Sequence, residues 1–288
     1  MTTVVRADAR RADLRGLVWF YVLATAVTWA CYVPVVLAQN GTIHLDLDIQ
    51  GLLGLTAILA PTFTACLLAA LRGGRRELRG LLGMAVRVRF RPRWYLLALG
   101  VPFAVPLTAV ALDALLSGTA PAAWLIAPTA QTLATFWIAA IGEDLGWRGY
   151  ALARALDRWG PATACTIHGV LWGLWHLPMF FRPGTAQADQ EFWLFTLQVI
   201  GATMIFARLF TATGGSVFAM MLMHAAANLA FNTVPVFATE GGNPVRTTLV
   251  SVLYLAAGLV AIATMPRRTW PRRTARRTAR AAADRAAA

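Results

Sequence analysis

Residues 141–150 read Ile-Gly-Glu-Asp-Leu-Gly-Trp-Arg-Gly-Tyr. Two adjacent carboxylates, Glu143 and Asp144, stand at the end of an apolar stretch, with Arg148 close behind. A charge at the edge of hydrocarbon is expensive unless it is paired or used. Asp144 and Arg148 are i,i+4 and share one helix face, where a bidentate guanidinium–carboxylate pair would keep Asp144 ionised. Glu143 is turned about 100° away and is left for another partner. Two further polar sets follow within apolar segments. His176 lies in Trp172-Gly-Leu-Trp-His-Leu-Pro, and His224 and Asn228 are again i,i+4.

Water, a base, and donors for a developing oxyanion are the parts of amide hydrolysis. Glu143 is placed to take a proton from water and His176 to help hold that water. His224 and Asn228 are placed to donate to an oxyanion. The rival reading is a zinc site, since two histidines and a carboxylate with an open position are a known Zn²⁺ set. Its ligands would be Glu143, His176 and His224. Against it, there is no His-Glu-x-x-His and no histidine follows another at i,i+4. An aspartyl protease needs two intramembrane Asp residues, and only Asp113 lies within a span. Gly214-Gly-Ser216 is a common turn sequence and a weak serine signal. The bland reading treats each histidine, and Asn228, as an interhelical hydrogen bonder. Three sets together are harder to read that way.

The elements that must position these residues are membrane helices. Of the 288 residues, 58% are hydrophobic and only 14% charged, well below the roughly 25% of a soluble domain. Mean hydropathy is +0.58. Eight apolar segments have about the length a bilayer requires: 16–38, 51–71, 94–117, 124–142, 162–181, 191–210, 215–237 and 247–265. The expected fold is therefore all-α and polytopic, with a basic arm over 1–15, one helical domain over 16–265 and an Arg-rich tail over 266–288. The first apolar run is too long for a signal-peptide core, so a retained helix is expected. The glutamate cluster falls at the cytoplasmic mouth of the fourth span.

All 26 basic residues are arginine, against 13 acids. The net charge of +13 could suggest nucleic acid, but the distribution points elsewhere. Twenty-four arginines fall on one side of the eight-span arrangement, and only Arg182 and Arg246 on the other. That asymmetry places both termini in the cytoplasm, with the protein in the cell membrane. The tail repeats Arg-Arg-Thr three times; it is expected to anchor topology and to attract anionic lipids. The stretch 86–91, Val-Arg-Val-Arg-Phe-Arg, reads as a headgroup-level segment or a short strand. Cys31, Cys66 and Cys165 lie in apolar segments and make no disulfide framework.

Glu-Asp-x-x-x-Arg-Gly-Tyr, then aromatic-x-x-x-His, then His-x-x-x-Asn resembles the CPBP family over residues of about 124–237. These are the CAAX prenyl endopeptidases of the Ras-converting type and their bacterial relatives, among them abortive-infection and bacteriocin-immunity proteins. The resemblance implies an intramembrane endopeptidase acting on a membrane-associated peptide or protein, with a conical cavity open to the cytoplasm among spans four, five and seven. It implies Glu143 as catalytic glutamate, His176 as the histidine sharing the water, His224 and Asn228 as the oxyanion pair, and Arg148 as structural. It favours a glutamate-activated water without metal or other cofactor; the alternatives are the zinc protease and a non-catalytic immunity protein. Two positions depart from the family pattern: Asp144 where Glu is usual, and Trp172 where Phe is usual. His168 and Asn232 are expected to pack or hydrogen-bond rather than react.

Overall fold

The computed structural model describes residues 2–266, with side chains for all of these except 2–13, 131, 132 and 240. The tail expected over 266–288 lies, after Pro266, outside the described residues. The chain forms α1 (Thr2–Gln39), α2 (Leu47–Ala85), α3 (Pro92–Ser117), α4 (Ala130–Asp144), a π-helical segment (Leu145–Leu152), α5 (Ala153–Trp159), α6 (Pro161–Trp175), a 3-10 turn (Leu177–Phe181), α7 (Phe192–Ala212), α8 (Val217–Thr233) and α9 (Pro244–Ala263). No strand occurs among the described residues, and the protein is an all-α polytopic membrane protein. Five helices are long and apolar enough to cross a bilayer: α1 from Leu14, α2, α3, α7 and α9. Their outer surfaces carry exposed Leu96, Leu115, Leu259 and Val260, which suits lipid and would be a liability in water.

Spans four and five differ from the sequence expectation. The fourth helix starts at Ala130, because residues 118–129 are irregular; Pro121 and Pro128 lie there, and Pro has no N–H for a helix ladder. Past the span boundary at 142 the helix continues through the π segment and α5 to Trp159, where Gly160 at φ +76° ends it. The fifth, α6, ends at Trp175 with His176 as its C-cap. The helix of span two continues to Ala85, bent at Gly74 with φ +60°. Residues 86–91 are neither helix nor strand.

Contacts between chain segments define two ends of the molecule. At one end the Ser216 hydroxyl donates to the Arg87 carbonyl (2.6 Å), Arg208 lies 4.8 Å from the Trp94 ring, and Arg154 pairs with Glu77. This is the arginine-rich end. At the other end Arg182 Nε donates to Gln39 (2.8 Å), Ile126 N–H donates to the Thr233 carbonyl (2.6 Å), and Arg246 Nε meets Asp113 Oδ2 at 2.7 Å. Asp113 also accepts from Asn243, so its carboxylate locks α3 to α9 and is far from an aspartyl-protease pair.

The glycines of the first motif exist for close approach. A Cβ on Gly142 would come within 2.7 Å of the Ile58 carbonyl, and one on Gly146 within 2.4 Å of the Pro61 carbonyl. Small residues of this kind let membrane helices touch backbone to backbone. Here they press α4 and its π continuation onto α2, which fixes where Glu143 and Asp144 point.

Candidate active site

Glu143 lies near the midpoint of the helical run from Ala130 to Trp159, not at a mouth as the span boundaries suggest. It is 5% exposed and Asp144 is fully buried. The π segment that follows is buried throughout. A π turn widens the helix, and such turns collect at functional sites. Arg148 Nη1 stands 2.9 Å from Asp144 Oδ1, and the second oxygen, Oδ2, lies 3.3 Å from Nδ1 of His224 on α8. Asp144 thus bridges two cationic or donor groups rather than taking Arg148 bidentately. The three groups are in close contact, without aligned hydrogen bonds at the two carboxylate oxygens. Spans four and seven are neighbours as the chemistry requires, α4 packing on α8 and the π segment touching α6 and α8.

Trp172 on α6 joins the groups. Its indole N–H donates to Glu143 Oε2 at 3.3 Å. The Arg148 guanidinium lies over its ring at 3.7 Å and over Phe206 at 4.2 Å. The rings of His176 and His224 meet it edge-on at 5.4 and 5.8 Å. Nδ1 of His176 is 2.8 Å from the Trp172 carbonyl. A carbonyl only accepts, so Nδ1 carries a proton and Nε2 is the nitrogen left to face other partners. His176 is further wedged against Trp175 and Phe195.

Glu143, His176, His224 and Asn228 all line one cavity of about 490 Å³, together with Asn232 and Gln190. The cavity reaches from mid-molecule to the 182–190 segment and the end of α8, which is the end opposite the arginine-rich one. Trp147, Tyr150, Leu209, Phe210 and Met220 are fully buried and lie outside its lining. The cavity lining and the arginine-rich segments thus lie toward opposite ends of the molecule.

His168 does not line the cavity. It is fully buried, and its Nδ1 is 2.9 Å from the Tyr21 hydroxyl. Asn232 does line it, with its amide donating to the Asn228 carbonyl at 3.1 Å. Among the described residues no three His, Cys, Asp or Glu side chains gather closely enough to hold a metal ion. Glu143, His176 and His224 share the one cavity. Two contacts escaped the sequence: the Trp172 indole on Glu143, and His224 on Asp144. Both cross between helices, where spacing along the chain carries no signal.

Residues 123–230 match the family model described as type II CAAX prenyl endopeptidase, Rce1-like. Every motif position, from Glu143 to Asn228, falls inside that segment. A curated relative named CAAX prenyl protease 2, from Methanococcus maripaludis, is 30% identical over 98 residues. That match covers 32% of this chain and 36% of the relative, so the chain spans about a third of the curated protein it matches. The resemblance carried by the motifs is thus shown for the segment that builds the cavity.

Proposed function

We propose that this chain, with the CAAX prenyl endopeptidase segment at its centre, is an intramembrane endopeptidase that hydrolyses a membrane-associated peptide. The observation that carries the reading is the convergence of Glu143, His176, His224 and Asn228 on one cavity. A water between Glu143 and Nε2 of His176 loses a proton to Glu143 and attacks the scissile carbonyl carbon. The C=O π pair moves onto oxygen, and the oxyanion is met by His224 and the Asn228 amide. Collapse re-forms the carbonyl and breaks the C–N bond as Glu143 returns its proton to the leaving amine. Positioned acid–base groups contribute about 10²–10⁴-fold to such steps.

Asp144 has a second part in this scheme. Its Oδ2, 3.3 Å from Nδ1 of His224, orients that ring toward the cavity. Trp172 holds Glu143 at one oxygen and leaves the other for water. The arginine-rich end is cytoplasmic on the charge rule, so the cavity receives its substrate from the non-cytoplasmic side of the membrane.

Comparative peptidomics of cells carrying wild type or Glu143→Ala tests the proposal. Membrane-derived peptides present only with wild type are expected. Identical peptide sets from the two strains, with both proteins expressed and folded, would overturn it. In excess chelator the purified protein is expected to keep full activity; loss that Zn²⁺ restores would replace the glutamate–water scheme by the metal one.

A further inference from the structure

At the arginine-rich end, away from the active-site cavity, lies a second concavity of about 470 Å³. It is lined by Arg89, Arg91, Arg93 and Arg208, with Trp94 as one wall and the 211–214 turn as another. The two segments that bring the arginines together are far apart in sequence and pinned to each other. Arg87 Nη1 donates to the Gly214 carbonyl at 2.9 Å, and Ser216 donates to the Arg87 carbonyl. Phe90 stacks on Tyr95 with ring centroids 4.1 Å apart, and the Tyr95 hydroxyl donates to the Val88 carbonyl. The backbone of the alternating basic stretch is therefore tied to the 214–216 turn and to the start of α3.

The charge in this concavity is unanswered. Arg93 and Arg208 both sit 4.8 Å from the single Trp94 ring, so two guanidiniums converge on one indole. No acid lines the concavity, and among the described residues no carboxylate pairs with any of its four arginines. α3 begins here at Pro92 with no side-chain cap and no acid in its first turn, so its positive dipole end adds to the same field. Like charges collected in one hollow repel one another unless an anion joins them. Guanidiniums match phosphate oxygens two at a time. Trp94, buried at the end of an apolar helix, marks the level of the interface.

We infer that this concavity binds a phosphate group, with Arg91, Arg93 and Arg208 as its principal ligands. The phosphodiester of an anionic phospholipid in the cytoplasmic leaflet and a free phosphate ion share that chemistry. Binding there would tie the 86–91 loop to the end of α7, whose other residues wall the active-site cavity through Phe195, Val199 and Phe206.

The test uses the full chain purified in uncharged detergent. Retention of phosphatidylglycerol is titrated by native mass spectrometry, with phosphatidylcholine as the neutral-headgroup control. The protein carries Arg91→Gln, Arg93→Gln and Arg208→Gln together, or, as a matched loss of three charges, Arg75→Gln, Arg76→Gln and Arg79→Gln, which are exposed outside the concavity. Saturable phosphatidylglycerol binding is expected, weakened at least about tenfold in the first triplet, as losing several charge-assisted contacts requires, and within about twofold in the second. Competition by millimolar inorganic phosphate would identify the free ion as a ligand; its failure to compete would identify the lipid. Equal losses in both triplets, or no preference over phosphatidylcholine together with no phosphate binding, would overturn the site. Should the first triplet fail to fold, Arg208→Gln alone and Arg208→Lys give the same comparison, with weakened binding expected from the first and retained binding from the second.

Discussion

At the residue scale, Asp144 does more than the i,i+4 spacing suggests. It is fully buried between Arg148 and His224. Removing one member of such a set leaves the others as uncompensated buried charge, at a cost of about 3–5 kcal/mol. Asp144→Asn is therefore expected to lower the thermal midpoint of the detergent-solubilised protein sharply; an unchanged midpoint would mean that the contact is incidental. Trp172→Phe keeps the ring under Arg148 but removes the N–H that reaches Glu143. It is expected to fold normally and to lose turnover about ten- to a hundredfold, with KM little changed, since one hydrogen bond to a charged group is worth about 1.5–3 kcal/mol. The types and order of the catalytic candidates were legible from motif spacing. The Trp172–Glu143 and Asp144–His224 contacts were not, because they join residues on different helices.

At the element scale, the site depends on how closely α4 and its π continuation lie on α2. Gly146 has the Pro61 carbonyl where a Cβ would go, whereas a Cβ on Gly100 in α3 meets nothing within 4 Å. Gly146→Ala is expected to destabilise the protein and reduce activity together, and Gly100→Ala to leave both nearly unchanged; equal effects in thermal unfolding and turnover would refute the packing account. The apolar segments located the helices well, but two features lay beyond that reading. Residues 124–129 are apolar enough to join a span yet contain no helix, with Pro128 inside them and Pro121 just before. The π segment was invisible, since an apolar stripe at 3.6-residue spacing continues through it without a break. Glu143, expected at the mouth of a span, is found near the middle of that helical run.

At the scale of the whole molecule, charge and cavity occupy opposite ends. Arg72, Arg75, Arg76, Arg79, Arg87 and the arginines of the second concavity lie at one end. The active-site cavity opens at the other, beside Arg182 and Gln187. The sequence carried the charge asymmetry in full, but the direction of the cavity depends on which aromatic side chains fill the core beneath Glu143, which no linear pattern specifies. A cysteine placed at Gln187, with Cys31, Cys66 and Cys165 replaced by Ser, is expected to react with a membrane-impermeant thiol reagent in right-side-out vesicles and not in inverted ones. The reverse pattern would invert the orientation while leaving the chemistry untouched.

The claim on which the rest stands is that Glu143 is the base that activates water. Glu143→Gln keeps the shape and the Trp172 contact while removing the proton acceptor. Its single-turnover rate on a membrane peptide identified by peptidomics is the most direct measurement. The account predicts a fall of about 10³-fold or more, in line with the loss of a positioned general base, with folding and peptide binding retained. Cleavage by Glu143→Gln at the wild-type rate would contradict it.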